Sequence, residues 1–141
     1  MTGFNHTLSG ALIAVLAPAP LVPLVAYILH FVLDVFPHFG RHPKVSHGSR
    51  ALLTIIAIDG FVSLCMFLFA ASLFPDKWLL IAVGSFFAVL PDFQWIFKRQ
   101  LHTPQWFLHF ASRIQWGERP WGWILELLYA GFFVAILIML S

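Results

Sequence analysis

Three polar side chains, His30, Asp34 and His38, recur every four residues within an otherwise apolar segment. Residues four apart lie on one face of an α-helix, so these three form a single polar stripe. Imidazole nitrogens and carboxylate oxygens are ligands that Zn, Mn and Fe accept in proteins. The stripe therefore predicts either a metal site or a buried polar network that packs the neighbouring helices together.

The composition of the chain is that of a membrane protein. Of its 141 residues, 60% are hydrophobic and 10% are charged, and the mean hydropathy is +0.87. Soluble domains typically carry about 25% charged residues, so we expect this chain to lie in a lipid bilayer. The net charge is only +2, with the basic residues in loops, which favours a role in membrane orientation over nucleic-acid binding. The single cysteine, Cys65, excludes an intrachain disulfide and a zinc site built from cysteines.

Apolar runs separated by proline-containing breaks predict an all-α, polytopic helical bundle that forms one domain, 1–141. We expect five membrane-crossing helices, at about 5–17, 21–36, 50–74, 77–97 and 121–140. No Lys or Arg precedes the first apolar run, so we interpret it as a retained helix and not as a signal peptide. The first two helices are shorter than the ~20 residues that cross a bilayer squarely. Either the membrane is thinned there, or the two form a tight hairpin shielded by the longer helices.

One further segment, at about 104–116, is amphipathic. The residues of its polar face recur at helical spacing and are His102, Trp106, His109 and Arg113. The apolar face opposite consists of Phe107, Phe110, Ala111 and Ile114. A helix with this pattern lies in the membrane interface and does not cross the bilayer.

The basic residues predict the orientation of the chain. With five crossings, the segments after the second and fourth helices lie on the same side as the N-terminus. Seven of the eight Lys and Arg residues fall there, and only Lys77 lies on the other side. The positive-inside rule then predicts a protein of the inner membrane with its N-terminus in the cytoplasm and Ser141 outside.

The same topology brings the ionisable groups of separate helices into one leaflet. At 1.5 Å per residue, Asp34 and His30 lie about 6 and 12 Å deeper than His38. A carboxylate at mid-membrane costs at least about 2.5 kcal/mol, so several in one leaflet require a compensating cation. We therefore predict a site for one or two divalent metal ions, Zn first and Mn or Fe as alternatives. The candidate ligands are His6, His30, Asp34, His38, Asp92, His102 and His109.

Two further roles follow from a metal site of this kind. Asp59 or Glu126 would act in catalysis by orienting a histidine ligand, while a metal-bound water would be the nucleophile. The basic residues near the cytoplasmic side would bind the anionic part of a substrate, namely Arg41, Lys98, Arg99 and Arg113.

Several short motifs carry a family resemblance. His6 stands four residues before Gly10, His30 and Asp34 follow one another on a helix, and Pro91-Asp92 ends another helix. In these features the chain resembles the bacterial membrane-bound, predicted metal-dependent hydrolases. It departs from them after Pro91-Asp92, where the second acid and the histidine of the family's Pro-Asp-x-Asp-His cluster are missing. It is also similar to a related family of small bacterial membrane proteins with a Leu-Asp-x-x-Pro-His segment and a Trp-Gly element before the last span.

Three functions stay open at this stage. The resemblance implies a membrane-embedded, metal-dependent hydrolase that acts on a phosphate ester or a lipid-type substrate at the cytoplasmic leaflet. An ion- or proton-coupled transporter would use the buried acids and histidines as a relay, although the sequence shows no clear inverted repeat. A non-catalytic protein that binds a lipid or protein partner would tolerate Asn or Gln in place of the acids.

Overall fold

The computed structural model describes residues 1–40, 50–96 and 101–141, and helices dominate this part of the chain. The helices are α1 (Gly3–Leu16), α2 (Val22–Asp34), α3 (Arg50–Leu73), α4 (Trp78–Ile96), α5 (Gln105–Ile114) and α6 (Trp123–Leu140). The prediction of an all-α chain is confirmed, with 83% of the described residues helical. Each predicted helix is present, and its ends differ from the expected ones by at most two residues.

Prolines set most of the helix boundaries. Pro18 follows the C-terminal end of α1, and a short 3-10 turn then leads into α2, whose second residue is Pro23. A second 3-10 turn, Pro75–Lys77, joins α3 to α4. Proline lacks the N–H that a helix interior requires, so it ends helices or begins them. Pro91 is the exception, because α4 continues through it.

The central helix is α1, which packs against α2, α3, α4 and α6. Gly10 of α1 crosses Gly84 of α4 so closely that a Cβ atom on either glycine would collide with the main chain of the other. Beside this crossing the Ser85 hydroxyl donates to the Thr7 carbonyl over 3.1 Å. Small residues permit the same close approach between helices in membranes. The surrounding helices thus shield the short α1, whereas α2 keeps one exposed apolar face.

The outward-facing surface of the bundle is apolar. Only Ala70 is buried in α3, and large side chains such as Phe61 (68% exposed) and Met139 (84% exposed) face outward. Soluble monomers rarely expose contiguous apolar patches larger than a few hundred Å². Two of the described helices, α3 and α6, are long and apolar enough to cross a membrane, judged by length and composition.

Two short strands fix the segment that follows α2. β1 (His38–Phe39) pairs in parallel with β2 (Glu118–Arg119), with His38 opposite Glu118. The Tyr129 hydroxyl of α6 donates to the Pro37 carbonyl over 3.1 Å. These contacts hold the C-terminal end of α2 beside the N-terminal end of α6, close to the first turn of α1.

Candidate metal centre

Three buried side chains from α1 and α2 converge on one point. His6 Nε2 lies 3.2 Å from Asp34 Oδ1, and His30 Nε2 lies 3.3 Å from Asp34 Oδ2. The two imidazole rings are stacked, with centroids 4.0 Å apart and 26° between their planes. One ligand atom from each residue lies within 4.8 Å of the other two, so the cluster could hold a metal ion.

The local sequence explains this placement. His30 and Asp34 are one turn apart on α2, so their side chains lie on the same face of the helix. His6 lies in the first turns of α1, and the sharp connection between the two helices makes them antiparallel neighbours. The start of α1 therefore lies beside the end of α2, where Asp34 is the last helical residue.

A hydrogen bond from the second ring nitrogen orients His30. Its Nδ1 donates to the main-chain carbonyl of Ala88 in α4 over 2.7 Å. In a neutral ring this leaves the Nε2 lone pair facing Asp34. A lone pair and a carboxylate oxygen at 3.3 Å repel each other unless a proton or a metal ion lies between them. The cluster is therefore a hydrogen-bonded ion pair with His30 protonated, or it is a metal centre.

The distances fit a metal ion with nitrogen and oxygen ligands. For Zn–N and Zn–O bonds of about 2.0–2.1 Å, tetrahedral ligand atoms lie about 3.3 Å apart. Each His–Asp distance in the cluster has this value to within 0.1 Å, with His6 facing Oδ1 and His30 facing Oδ2 of Asp34. Asp92 Oδ1 lies 3.9 Å from His30 Nε2, and its side chain is 27% exposed. Asp92 is therefore placed as a fourth ligand, or beside a fourth position on the ion.

The two histidines differ in how well they are supported. Metal-ligating histidines usually donate their second ring N–H to an acceptor, as His30 does to Ala88. By contrast, His6 Nδ1 is buried and has no hydrogen-bond partner within the described residues. His30 thus meets the expected pattern of a ligand more fully than His6.

One cation already contacts the cluster. The α-amino group of Met1 donates to Asp34 Oδ1 over 2.5 Å, and both groups are almost completely buried. This ammonium compensates the charge of Asp34, whose burial would otherwise be costly. A metal ion at the cluster would share the Asp34 carboxylate with the amino group or displace it.

Glu126 and Asp59 bind the first turn of α1. Glu126 accepts the main-chain N–H of Thr2 at 3.1 Å, the Thr2 hydroxyl at 2.6 Å and the Asn5 amide at 2.5 Å. Asp59 accepts the N–H groups of Gly3 and Phe4 at 2.8 and 3.2 Å. The first N–H groups of a helix have no partner within it and carry a partial positive charge. The two acids thus cap α1 from α6 and α3.

These contacts differ from the role that the sequence suggested for the two acids. Within the described residues, the hydrogen bonds of Asp59 and Glu126 go to the start of α1 and to the Phe39 N–H, not to a histidine. Thr2 and Asn5, which bind Glu126, were not predicted as partners of these acids. Threonine is a preferred residue before a helix, and this signal was present in the sequence, but the Thr2 hydroxyl donates to Glu126 and accepts from the Asn5 side chain, and it makes no capping bond to a main-chain N–H of α1.

The remaining predicted ligands are not among the residues whose ligand atoms converge in the cluster of His6, His30 and Asp34. His38 is buried and its Nδ1 donates to the Phe36 carbonyl over 2.7 Å. Burial lowers the pKa of His38 below its usual value, which favours the neutral ring. His102, in a left-handed turn with φ +49°, and His109 on α5 are exposed.

The predicted anion-binding residues fall into two groups. Arg113 is exposed in the last turn of α5. Arg41, Lys98 and Arg99 lie outside the described residues.

The fold and the site together define a helical protein with two membrane-length helices and a buried His/Asp cluster able to hold a metal ion. Comparisons with known protein families, with curated proteins and with solved structures find no match to this chain. The resemblance to membrane-bound metal-dependent hydrolases therefore stays a prediction.

Proposed function

We propose that this protein is a polytopic, membrane-embedded, metal-dependent hydrolase. The observation that carries the proposal is the convergence of His6, His30 and Asp34 in one buried cluster with Asp92 beside it. Two histidines and one carboxylate are the protein ligands of several catalytic zinc sites, where water or substrate takes the fourth position. Structural zinc sites, in contrast, are closed by four protein ligands.

The apolar outer surface supports five crossings of the inner membrane. α2, α3, α4 and α6 surround α1, so α1 need not span the full bilayer thickness alone. The charged contacts described above gather at the N-terminal end of α1, the side that the basic residues assign to the cytoplasm. The site would then open to the cytoplasmic leaflet, where a phosphate ester or a lipid-type substrate would reach it.

The residues divide the chemistry between them. When bound, a divalent ion would lower the pKa of a water ligand and polarise a substrate oxygen. His30 is held in place by Ala88, and Asp34 brings the two histidines together. Asp92 is the most exposed member of the group and lies 3.9 Å from His30 Nε2. It is therefore placed to accept a proton from the attacking water as a general base.

Metal analysis of the full chain tests the ion. Detergent-purified protein should contain about one Zn, Mn or Fe ion per chain, as expected for a single site with these ligands. Asp34→Asn should lose nearly all of it, whereas the matched control Asp76→Asn should keep it, because Asp76 is exposed in the turn between α3 and α4. If the parent protein purified from metal-supplemented cells contains no metal, the proposal is overturned and the cluster is a hydrogen-bonded network.

Asp92→Asn tests the hydrolysis. This variant should keep the metal ion and lose about 100-fold or more of the rate, because general bases typically contribute that much. The substrates would be the p-nitrophenyl esters of phosphate and of a long-chain fatty acid in mixed micelles. A parent inactive on both, or a rate that survives in Asp34→Asn, would overturn the hydrolase. Metal uptake by proteoliposomes would then favour the transporter.

A further inference from the structure

An open apolar groove of about 510 Å³ lies between α2 and α5, beside the candidate metal centre. Its walls include Phe31 and Val32 of α2 and Phe107 and Phe110 of α5. The ring of Phe31 makes edge contacts with both α5 rings, at centroid distances of 6.0 and 5.3 Å. The groove is thus formed where the amphipathic helix packs its apolar face on α2.

A second cavity of about 420 Å³ continues the groove. The two share Tyr27, Trp106 and Phe107 as lining residues. The second cavity also has polar groups: the Tyr27 hydroxyl donates to the Gln94 side-chain oxygen over 3.1 Å, and Thr103 donates to the Gln94 main-chain oxygen over 3.1 Å. Together the two cavities present a long apolar section that ends in uncharged hydrogen-bonding groups, which is the pattern an amphiphile requires.

The surroundings of the groove identify its occupant. The α2 residues that border it, Ile28 and Val32, are 52% and 49% exposed and continue the apolar outer surface of the bundle. A protein segment filling the groove would need partners for its own main-chain N–H and C=O groups, and the lining offers almost none. We infer that the groove binds one acyl chain of a membrane phospholipid, with the ester end of the chain toward Tyr27 and Gln94.

The position of the groove connects this lipid with the metal centre. Tyr27 precedes His30 by three residues, about 4.5 Å along the helix axis, and the ring of Phe31 packs edge-on against the ring of His30 at 5.1 Å. An acyl chain in the groove therefore contacts Phe31, whose ring contacts His30 of the cluster. Acyl-chain esters are then the substrate class, a statement that rests on the proposed function. Water would supply a hydroxyl to the acyl carbon and a proton to the departing alcohol oxygen as the C–O bond breaks.

Lipid retention tests the groove directly. The full chain is reconstituted in vesicles of phosphatidylcholine and phosphatidylglycerol, extracted again in a mild detergent and examined by native mass spectrometry. The parent should keep one phospholipid, and Val32→Trp, which fills the groove, should reduce the retained fraction at least 10-fold. The matched control is Leu24→Trp, on the same helix and 59% exposed but outside the groove lining. It should retain the lipid as the parent does.

Two further measurements keep the outcomes separate. If Val32→Trp loses helical circular dichroism, Ile114→Trp is used as the test variant in its stead, because Ile114 lines the same groove from α5. Equal retention in the groove-filled variant and the parent, or no lipid on the parent, overturns the lipid site. Metal content is measured on the same samples. If the parent binds lipid but contains no metal, the hydrolase proposal is overturned and the lipid site is supported. If the parent contains metal but retains no lipid, the lipid site is overturned and the metal centre is supported.

Discussion

His6 and His30 stack face to face between α1 and α2, with their ring centroids 4.0 Å apart and both Nε2 atoms facing Asp34. Two imidazolium rings at this distance would repel each other strongly in a buried site. The arrangement is favourable with one proton shared between a ring and the carboxylate, or with one metal ion. Stacking of this kind thus limits the charge that the site can carry.

Metal binding is expected to stabilise the fold, because the ion binds the folded chain and the cluster does not exist in the unfolded chain. At a free metal concentration of 100 times Kd, the free energy of unfolding should rise by about 2.7 kcal/mol. Denaturant unfolding in detergent, with and without a chelator, measures this difference. Asp34→Asn should show no response to the chelator, and Asp76→Asn should respond as the parent does. A parent whose unfolding ignores the chelator would argue against the metal centre.

The amino-acid sequence predicts the structure correctly where the signals are local. Apolar runs and prolines predicted the helices, because both act within a few residues of where they occur. His30 and Asp34 were paired correctly by their four-residue spacing on one helix. The amphipathic period of α5 placed Phe107 and Ala111 on the inner face, and both are buried.

The rest depends on which helices become neighbours, and a single sequence does not contain that information. The predicted depth in the membrane brought Asp59 and Glu126 near the histidines. It did not predict that the two carboxylates accept hydrogen bonds from the N–H groups at the start of α1. The bond from the Met1 amino group to Asp34 is equally non-local. His102 and His109 were predicted as ligands although they belong to the polar face of the amphipathic segment, and both are exposed, outside the buried cluster.

The crossing of α1 and α4 predicts a specific sensitivity at Gly10. Gly10→Ala should lower the free energy of unfolding by about 1–3 kcal/mol, the usual cost of overpacking, because its Cβ would collide with the main chain of Gly84. Gly10 lies one turn after His6, so the variant should also bind metal more weakly. Denaturant unfolding and metal titration measure the two effects.

The matched control is Gly131→Ala on α6, where an added Cβ meets nothing. This variant should be neutral, or more stable by up to about 1 kcal/mol, since alanine favours helix more than glycine. Equal stability of the two variants would show that α1 and α4 do not approach each other as described.

Glu126 should act on the metal centre through α1. In Glu126→Gln an amide N–H₂ replaces an oxygen that accepts from Thr2 and Asn5, and the unpaired donors should cost about 1–3 kcal/mol of unfolding free energy. Metal affinity should fall as well, because the same turn carries His6. Unfolding and metal titration of this variant beside Asp76→Asn measure both. Unchanged stability with reduced metal affinity would instead place Glu126 in direct contact with the ion.

Side chains of opposite charge bind the two ends of α1, and their positions allow a test of the orientation in the membrane. Lys77 Nζ donates to the Val15 carbonyl over 3.0 Å at the C-terminal end, while Asp59 and Glu126 bind the N-terminal turn. A cation at the C-terminus and anions at the N-terminus complement the helix dipole. Lys77 is therefore held by α1, and it is the one basic residue predicted to lie on the non-cytoplasmic side.

We therefore expect the α3–α4 turn and α5 to lie on opposite sides of the membrane. In a Cys65→Ser background, Asp76→Cys should react with a membrane-impermeant maleimide on intact cells. Gln105→Cys should react only after the cells are permeabilised. Both positions are exposed, so accessibility alone would not separate them. Labelling of both from the same side would mean that α4 does not cross, and a reversed pattern would put the N-terminus, the metal centre and the lipid groove on the outer leaflet.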